Sequence, residues 1–270
     1  KQVNHDVVIL LNSDVEVEKG WIKPLVKVLK SDEKNAAVQP KILSFKNKKR
    51  FEHAGAAGGM LDFLGYPFCR GRIFLETEED LGQYDRATEI FWASGAAMCI
   101  KRQVFIDIGG FDTSFFAHME EIDLCWRLKQ AGFRIQYQPD SHVYHLGGGT
   151  LDYDSPFKVY LNFRNSLFTI FKNVSVGKLF WLLPFRLILD GIAGVFYLKQ
   201  GKFRLIFMII KAHFSFYFAF FQMISRRNDS LQLIEKCRIA KENSAGYYNK
   251  SIVFQHFIAK KNKFTDIFTN

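Results

Sequence analysis

Val7-Val8-Ile9-Leu10-Leu11-Asn12-Ser13-Asp14 carries the first architectural signal of the chain. Five consecutive apolar residues, of strand length, predict a strand buried on both faces of an α/β sheet. The run stops at three polar residues, and the carboxyl end of a strand is where open α/β sheets gather their ligands. Asn12 and Asp14 are therefore candidate site residues, although many strands end in Asn or Asp only to begin a turn. Working outward, residues 19–30 have apolar side chains at helical spacing (Trp21, Leu25, Val28, Leu29) and residues 36–43 read as the next strand. Residues 44–89, rich in Gly and charge, read as a long irregular insertion with functional potential. Strand character returns at 90–100, around Ser94-Gly95-Ala96-Ala97. A short helix then ends at Gly109-Gly110, and a helix over 120–131 stops at Gly132. Two short strands, 134–138 and 142–145, precede the loop Gly147-Gly148-Gly149. This alternation predicts an α/β fold with a mixed, mostly parallel sheet.

Composition divides the chain. Its 270 residues are 48% hydrophobic and 24% charged with four cysteines, which excludes a disordered, collagen-like or disulfide-scaffold protein. Cys69, Cys99, Cys125 and Cys237 are scattered without a CxxC pair, so reduced thiols are the default. The net charge of +10 lies wholly in the second half: residues 1–150 carry 19 basic and 20 acidic side chains, residues 151–270 carry 18 and 7. That half also holds 18 of the 29 phenylalanines, in apolar blocks flanked by charge. Such a pattern points to a membrane surface and away from nucleic acid, whose modules interleave aromatics with Arg and Lys. Ser155-Pro156 marks the start of a helix running to about Asn173. Residues 179–198 and 203–224 approach the ~20 residues of a bilayer span. Arg186, Asp190 and Pro184 interrupt the first, and Arg204, Lys211 and His213 the second. Interfacial or re-entrant helices are the favoured reading over true spans, with a soluble helical bundle as the plain alternative.

Two further features bear chemistry. His118-Met119-Glu120-Glu121-Ile122-Asp123 places three carboxylates at the start of a helix, where the dipole favours negative charge. Simple capping explains that much, but Glu120 and Glu121 point in different directions, and one can serve as a general base at a cleft. His145 ends a strand before the triple-glycine loop. An imidazole on one strand end and a carboxylate on another make an open site for a divalent cation, with diphosphate oxygens and water completing the shell.

Four ordered segments together, Leu10 through Val17, Trp92-Ala93-Ser94-Gly95-Ala96-Ala97-Met98, Gly109-Gly110-Phe111-Asp112 through Glu120-Glu121-Ile122-Asp123-Leu124-Cys125-Trp126-Arg127, and His145-Leu146-Gly147-Gly148-Gly149, resemble the inverting family 2 glycosyltransferases. The similarity is to their rhamnosyltransferase-like branch in bacterial surface-polysaccharide synthesis. It implies a GT-A fold, a nucleoside-diphosphate sugar as donor, a divalent metal (Mg or Mn) and a glycan or lipid-linked acceptor. It implies Asp14 as the metal-binding last Asp of a DxD motif, with Asn12 in the place of the first Asp as a nucleotide-sugar contact. Glu121 takes the place of the general base, with Glu120 as runner-up, and His145 that of a histidine completing the metal site. Trp92, Ser94 and Gly95 fall on the segment lining the donor and acceptor pocket.

The resemblance also implies that this chain lacks the opening strand and loop that bind base and ribose in the family, and so would be inactive as a fragment. The expectation is a catalytic-domain portion over 1–150, a basic helical membrane-associating extension over 151–270, weak donor binding by this chain alone, and a place at the cytoplasmic face of the inner membrane, peripheral or monotopic. The contrasting expectation is a non-catalytic membrane-surface scaffold or glycan-binding module. No nucleic-acid motif is present.

Overall fold

The apolar run forms β1 (Val7–Leu11), and a two-residue turn after Asn12 leads into β2 (Val15–Val17). In the computed structural model, which describes residues 5–147 and 155–268, α1 (Ile22–Ser31) and the long β3 (Asn35–Ser44) follow. Residues 45–96 contain β4 (Gly59–Asp62), β5 (Pro67–Cys69), β6 (Arg72–Ile73), β7 (Glu76–Thr77) and β8 (Thr88–Ile90). Then come β9 (Ala97–Lys101), α2 (Arg102–Asp107), α3 (Glu120–Gln130) and β10 (Arg134–His145). The remainder is helical: α4 (Pro156–Asn173), α5 (Val176–Lys199), α6 (Phe203–Phe218) and α7 (Phe220–Cys237), ending with β11 (Tyr247–Tyr248), α8 (Ile252–Phe257) and α9 (Phe264–Ile267). The expected boundary near Leu151 and the glycines Gly148 and Gly149 lie outside the described residues.

The main sheet has the order β1-β9-β3-β10-β2, with β8 also on β10. It is mixed, as expected, but not mostly parallel. Only β3 and β10 run parallel, while β1–β9, β3–β9, β10–β2 and β10–β8 are antiparallel. Apolar runs give strand positions and leave direction open. Here the chain wanders through residues 45–96, contributes β8 to the sheet on the way, and returns as β9 from the same end at which β3 left it, which makes the pair antiparallel. That strand separates β1 from β3, so β1 is an outer strand, half-buried along most of its length and not covered on both faces. The insertion read as irregular holds a second small sheet, β4 to β7, which β11 joins by pairing parallel to β4.

Side chains alternate along the central strands. Val38 and Ile42 of β3 and Ala97 and Cys99 of β9 meet Trp21, Leu25 and Leu29 on the α1 side, while Ala37, Met98 and Ile100 face the opposite core with Leu124 and Leu128 of α3. The two short strands expected over 134–145 are one strand with a register shift between Gln138 and His142. The shift reverses parity. Ile135 and Tyr137 lie in the α3-side core and Val143 in the α1-side core. His145, two residues on, inherits the face of Val143.

α4 follows the expected bounds and packs into the same apolar cluster as α3, through Leu167, Phe168, Ile170 and Phe171. The charges that interrupt α5 point inward, whereas Arg204 and Lys211 of α6 are exposed. Arg186 is buried, donates to the Leu64 carbonyl at 2.9 Å and to Ser166 Oγ at 2.6 Å, and lies over the Tyr66 ring. Asp190 pairs with His213 at 3.1 Å. The segment 203–224 is two helices, α6 and α7, bent by 66° around Ala219, and α5 is long and apolar enough to cross a membrane by length and composition.

Candidate active site

Asp14 stands in the turn between β1 and β2. Antiparallel pairing sets Val15 opposite His145, and the Leu146 N–H donates to the Asp14 carbonyl at 3.0 Å. The imidazole lies between two carboxylates: Nε2 is 3.2 Å from Asp14 Oδ1, and Nδ1 is 2.9 Å from Glu52 Oε2. Glu52 is buried and also accepts the Ala54 N–H at 2.6 Å. Burial works to lower the His145 pKa, but Glu52 and then Asp14 outweigh it and the net direction is up. For Glu52 burial pushes upward, yet the His145 contact and the Ala54 N–H hold its carboxyl below the ordinary value. His145 Nε2 is buried and, despite facing Asp14, has no hydrogen bond of acceptable geometry.

Glu120 and Glu121 open α3 from an unusual loop. Phe116, His118 and Met119 all have positive φ, at 65°, 68° and 74°. Conformations of this kind cost about 1–3 kcal/mol each in non-glycine residues and persist only where the surroundings over-determine them. The surroundings here are α4. The Asn165 side-chain amide, fully buried, donates to the carbonyls of Phe115 (3.0 Å), Ala117 (2.7 Å) and His118 (2.7 Å). Arg164 donates to the carbonyls of Ser114 (3.2 Å) and Phe115 (2.8 Å). One turn deeper into α3, Asp123 accepts from Lys172 at 2.9 Å, Asn173 at 2.8 Å and Arg127 at 3.0 Å.

The loop so held carries the two glutamates into a water-poor position. Oε2 of each is buried without a hydrogen-bond partner. Burial pushes the Glu121 carboxyl up to about 8, with the adjacent Glu120 charge adding, and burial raises Glu120 as well. Gly95 abuts this group: a Cβ built there would lie 3.9 Å from Glu121 Cβ. Next in sequence, the Ala96 carbonyl accepts the Asn12 N–H at 3.0 Å. The fold therefore gathers Asn12, Gly95 and Glu121, with Asp14 two residues beyond Asn12.

Two expected pocket residues have other work. Trp92 is a core residue, its ring packed so closely on Gly59 that a Cβ there would overlap it and its N–H donated to the Met60 carbonyl at 2.9 Å. Ser94 is buried in a turn before β9, not on a strand. Its N–H donates to Gln39 Oε1 and its hydroxyl oxygen accepts the Ala96 N–H, so it shapes the turn that presents Gly95. Glu52, Arg164 and Asn165 were not legible as site residues. Glu52 meets His145 across 93 positions, and nothing local in the sequence marks the pairing.

A family model described as glycosyltransferase like family 2 matches residues 1–165. The chain belongs to this family. The low-salt glycan biosynthesis hexosyltransferase of Haloferax volcanii is 28% identical over 166 residues, covering 61% of this chain and 50% of that protein. The N-acetylglucosaminyl-diphospho-decaprenol L-rhamnosyltransferase of Mycobacterium tuberculosis is 32% identical over 146 residues, covering 52% and 47% respectively. A solved structure of GalNAc-T7 with UDP, GalNAc and Mn2+ matches with a TM-score of 0.42 and 16% identity over 61% of this chain and 31% of that one. The family 2 chain spans about half the length of the curated relatives it matches.

Its residues fit a divalent cation of the kind the family implies. Asp14 Oδ1 and the unpartnered His145 Nε2 face each other, and Glu52 on Nδ1 fixes the tautomer that leaves Nε2 free to ligate. No group of three such ligands converges among the described residues, so water or phosphate oxygens would have to complete the shell of an ion held by Asp14 and His145. Glu52→Gln is expected to weaken Mn2+ binding about 10–100-fold in calorimetric titration. Unaltered affinity would remove Glu52 from the metal site.

Proposed function

We propose that this family 2 chain carries the base and metal groups of an inverting glycosyltransferase that moves a sugar from a nucleoside diphosphate to a hydroxyl of a glycan or lipid-linked acceptor in cell-surface polysaccharide synthesis. The observation that carries the reading is the Glu121 carboxyl, raised into the working range of a general base, unpartnered at Oε2 and set against Gly95. The acceptor oxygen forms a bond to the anomeric carbon as the bond from that carbon to the diphosphate oxygen breaks. Glu121 takes the hydroxyl proton, and the diphosphate departs on the opposite face. Asp14 and His145 would hold a divalent cation, which would supply charge neutralisation for that leaving group. No covalent enzyme intermediate is required. A scaffold or glycan-binding module has no use for two half-buried carboxyls at the start of α3, each with one buried oxygen left unpartnered.

The helical part supports a membrane surface as partner. Phe203, Phe207, Ile210, Phe214, Phe218 and Phe221 recur every three or four residues and are exposed, Phe218 to 86%. Phe180, Ile188, Ile192 and Phe196 of α5 are exposed likewise, and only 17% of the α5 apolar window is buried. Arg186 and Asp190 of α5 are turned inward, while Arg204 and Lys211 stay exposed on α6 among the aromatic side chains, a pattern that suits helices lying at a membrane surface.

The native protein, given divalent metal, nucleoside-diphosphate sugars and membrane-extracted acceptors, is expected to form a glycoside of inverted anomeric configuration by NMR. Retained configuration, or no transfer with any donor, would refute the reading. In the same preparation, sedimentation with anionic vesicles at low salt is expected, and Phe207→Asp with Phe214→Asp should abolish it. Binding that survives both changes would move the membrane contact elsewhere.

A further inference from the structure

The hairpin of β6 and β7 closes through two residues, Phe74 and Leu75, since Ile73 pairs with Glu76. Loops of this length favour Asn-Gly, Asp-Gly or a leading Gly, because their first position needs positive φ. Here a phenylalanine takes that position at φ 49°, and a leucine follows it, 74% exposed at the tip. Phe74 has a packing reason. Its ring lies 4.8 Å from the His256 ring and 5.1 Å from that of Phe257, which fastens the hairpin to α8. On α8 and its C-cap, Phe254, Phe257 and Ile258 are exposed at the spacing of one helix face, while Ile252 is buried. Leu75, Phe257 and Ile258 thus belong to one apolar patch, and neither the candidate site nor the α6 stripe includes it.

Lysines bracket the patch. Lys250 precedes the Ser251 N-cap of α8, Lys260, Lys261 and Lys263 follow the helix, and residues 243–265 hold no acidic side chain. The Lys261 N–H donates to the Gln255 carbonyl at 3.0 Å, which turns these lysines back beside α8. Among the described residues no carboxylate forms an ion pair with any of the four. Asp266 is engaged by the Lys263 backbone N–H at 3.0 Å, and Glu76 is the one carboxylate on the hairpin. Exposed apolar side chains ringed by unpaired cations fit an anionic lipid surface. The β4–β5 turn also joins the patch to the exposed face of α5. Asp62 accepts the Ile252 N–H at 3.0 Å, and the Phe63 ring lies 6.3 Å from that of Trp181, which is exposed on α5 beside Phe180. We propose that the Leu75 tip and α8 form a second membrane contact, in which Leu75, Phe257 and Ile258 enter the interface and the bracketing lysines meet anionic lipid head groups. The inference deepens the membrane reading and rests on it, and it needs no sugar transfer. Contact at two places restricts the tilt of the molecule on the bilayer.

An environment-sensitive dye on Leu75→Cys tests this in the full chain, with Cys237→Ser because the other three cysteines are buried. Its emission is expected to rise and shift to the blue with vesicles containing phosphatidylglycerol, and to change little with pure phosphatidylcholine. Lys260→Gln with Lys261→Gln should weaken binding to the anionic vesicles about tenfold or more at low salt, since each lysine near such a surface contributes about fivefold. Both residues lie at the surface, so the melting temperature should not move. The same dye on Ile210→Cys reports the α6 face. A response at 210 and none at 75 would overturn the proposal and leave the α6 contact standing. Response at 75 alone would keep the proposal and strike the α6 face, and silence at both would end it together with the membrane reading. Equal response to neutral vesicles, or unchanged affinity in the glutamine variant, would overturn the role of the lysines and the proposal with it. A response that grows with protein concentration in the absence of lipid would overturn it in favour of a second copy of this chain.

Discussion

Glu121→Gln is expected to lower kcat by about 10²–10⁴-fold while nucleotide-sugar binding survives, because the acceptor proton then has no positioned base. Glutamine keeps the shape and removes only the proton acceptor. In the wild type, log kcat/KM should climb with pH and level off near 8, the value to which burial and Glu120 push the carboxyl. The two glutamates interact, so the apparent value belongs to the pair. The variant should lose this dependence, and Glu120→Gln should cost less while shifting the curve to lower pH by removing a neighbouring negative charge. Stability should move the other way. A carboxyl whose folded pKa lies above its unfolded value of 4.5 contributes most below that value and loses the contribution as pH rises toward 8. Glu121→Gln is therefore expected to melt higher than wild type at pH 8–9, by on the order of 2 kcal/mol, and near parity at pH 5. A variant that is fully active, or less stable at alkaline pH, would remove Glu121 as the base.

Asn165→Leu is expected to cost about 2–4 kcal/mol of stability, since it removes the Asn165 donor from the half-buried Ala117 and His118 carbonyls and leaves the Phe115 carbonyl to Arg164 alone. The larger consequence is kinetic. With Phe116, His118 and Met119 free to leave positive φ, the glutamates no longer hold their place, and a misplacement of about 1 Å costs on the order of 10² in rate. Asn165 touches no reacting atom and is a positioning residue. Its loss should lower kcat far more than it raises KM, and should move the pH profile toward that of an ordinary carboxylate as water reaches Glu121. A pure stability defect, with kcat and pH profile unchanged below the melting temperature, would refute the role. The helices after residue 155 thus complete the candidate site as well as offering a membrane face.

Much of this was legible in local pattern. The run Val7–Leu11, the α4 bounds, the α3 start and the Gly132 stop follow from hydrophobic period, proline, carboxylates and glycine, all short-range constraints on backbone conformation. The candidate site residues Asn12, Asp14, Glu120, Glu121 and His145 stood out because polar groups at strand ends and helix starts have few structural duties. Trp92 and Ser94 misled because their neighbours belong to the motif while their own side chains face Gly59, Met60 and the turn at Ala96.

The contrast between local and distant constraints runs through the whole molecule. Residue order alone marked where several strands and helices lie, which residues are candidates for the chemistry, and that a neutral half precedes a basic, aromatic one. The fold decided strand direction, because direction depends on where a long connection re-enters the sheet. A register shift decided the face of His145, and Glu52 and Asn165 acquired their partners across 93 and about 50 positions. It also turned Arg186 and Asp190 away from the surface. Those choices depend on distant groups competing for burial and for hydrogen bonds, and a pairing that exists only after collapse leaves no periodic trace in the chain.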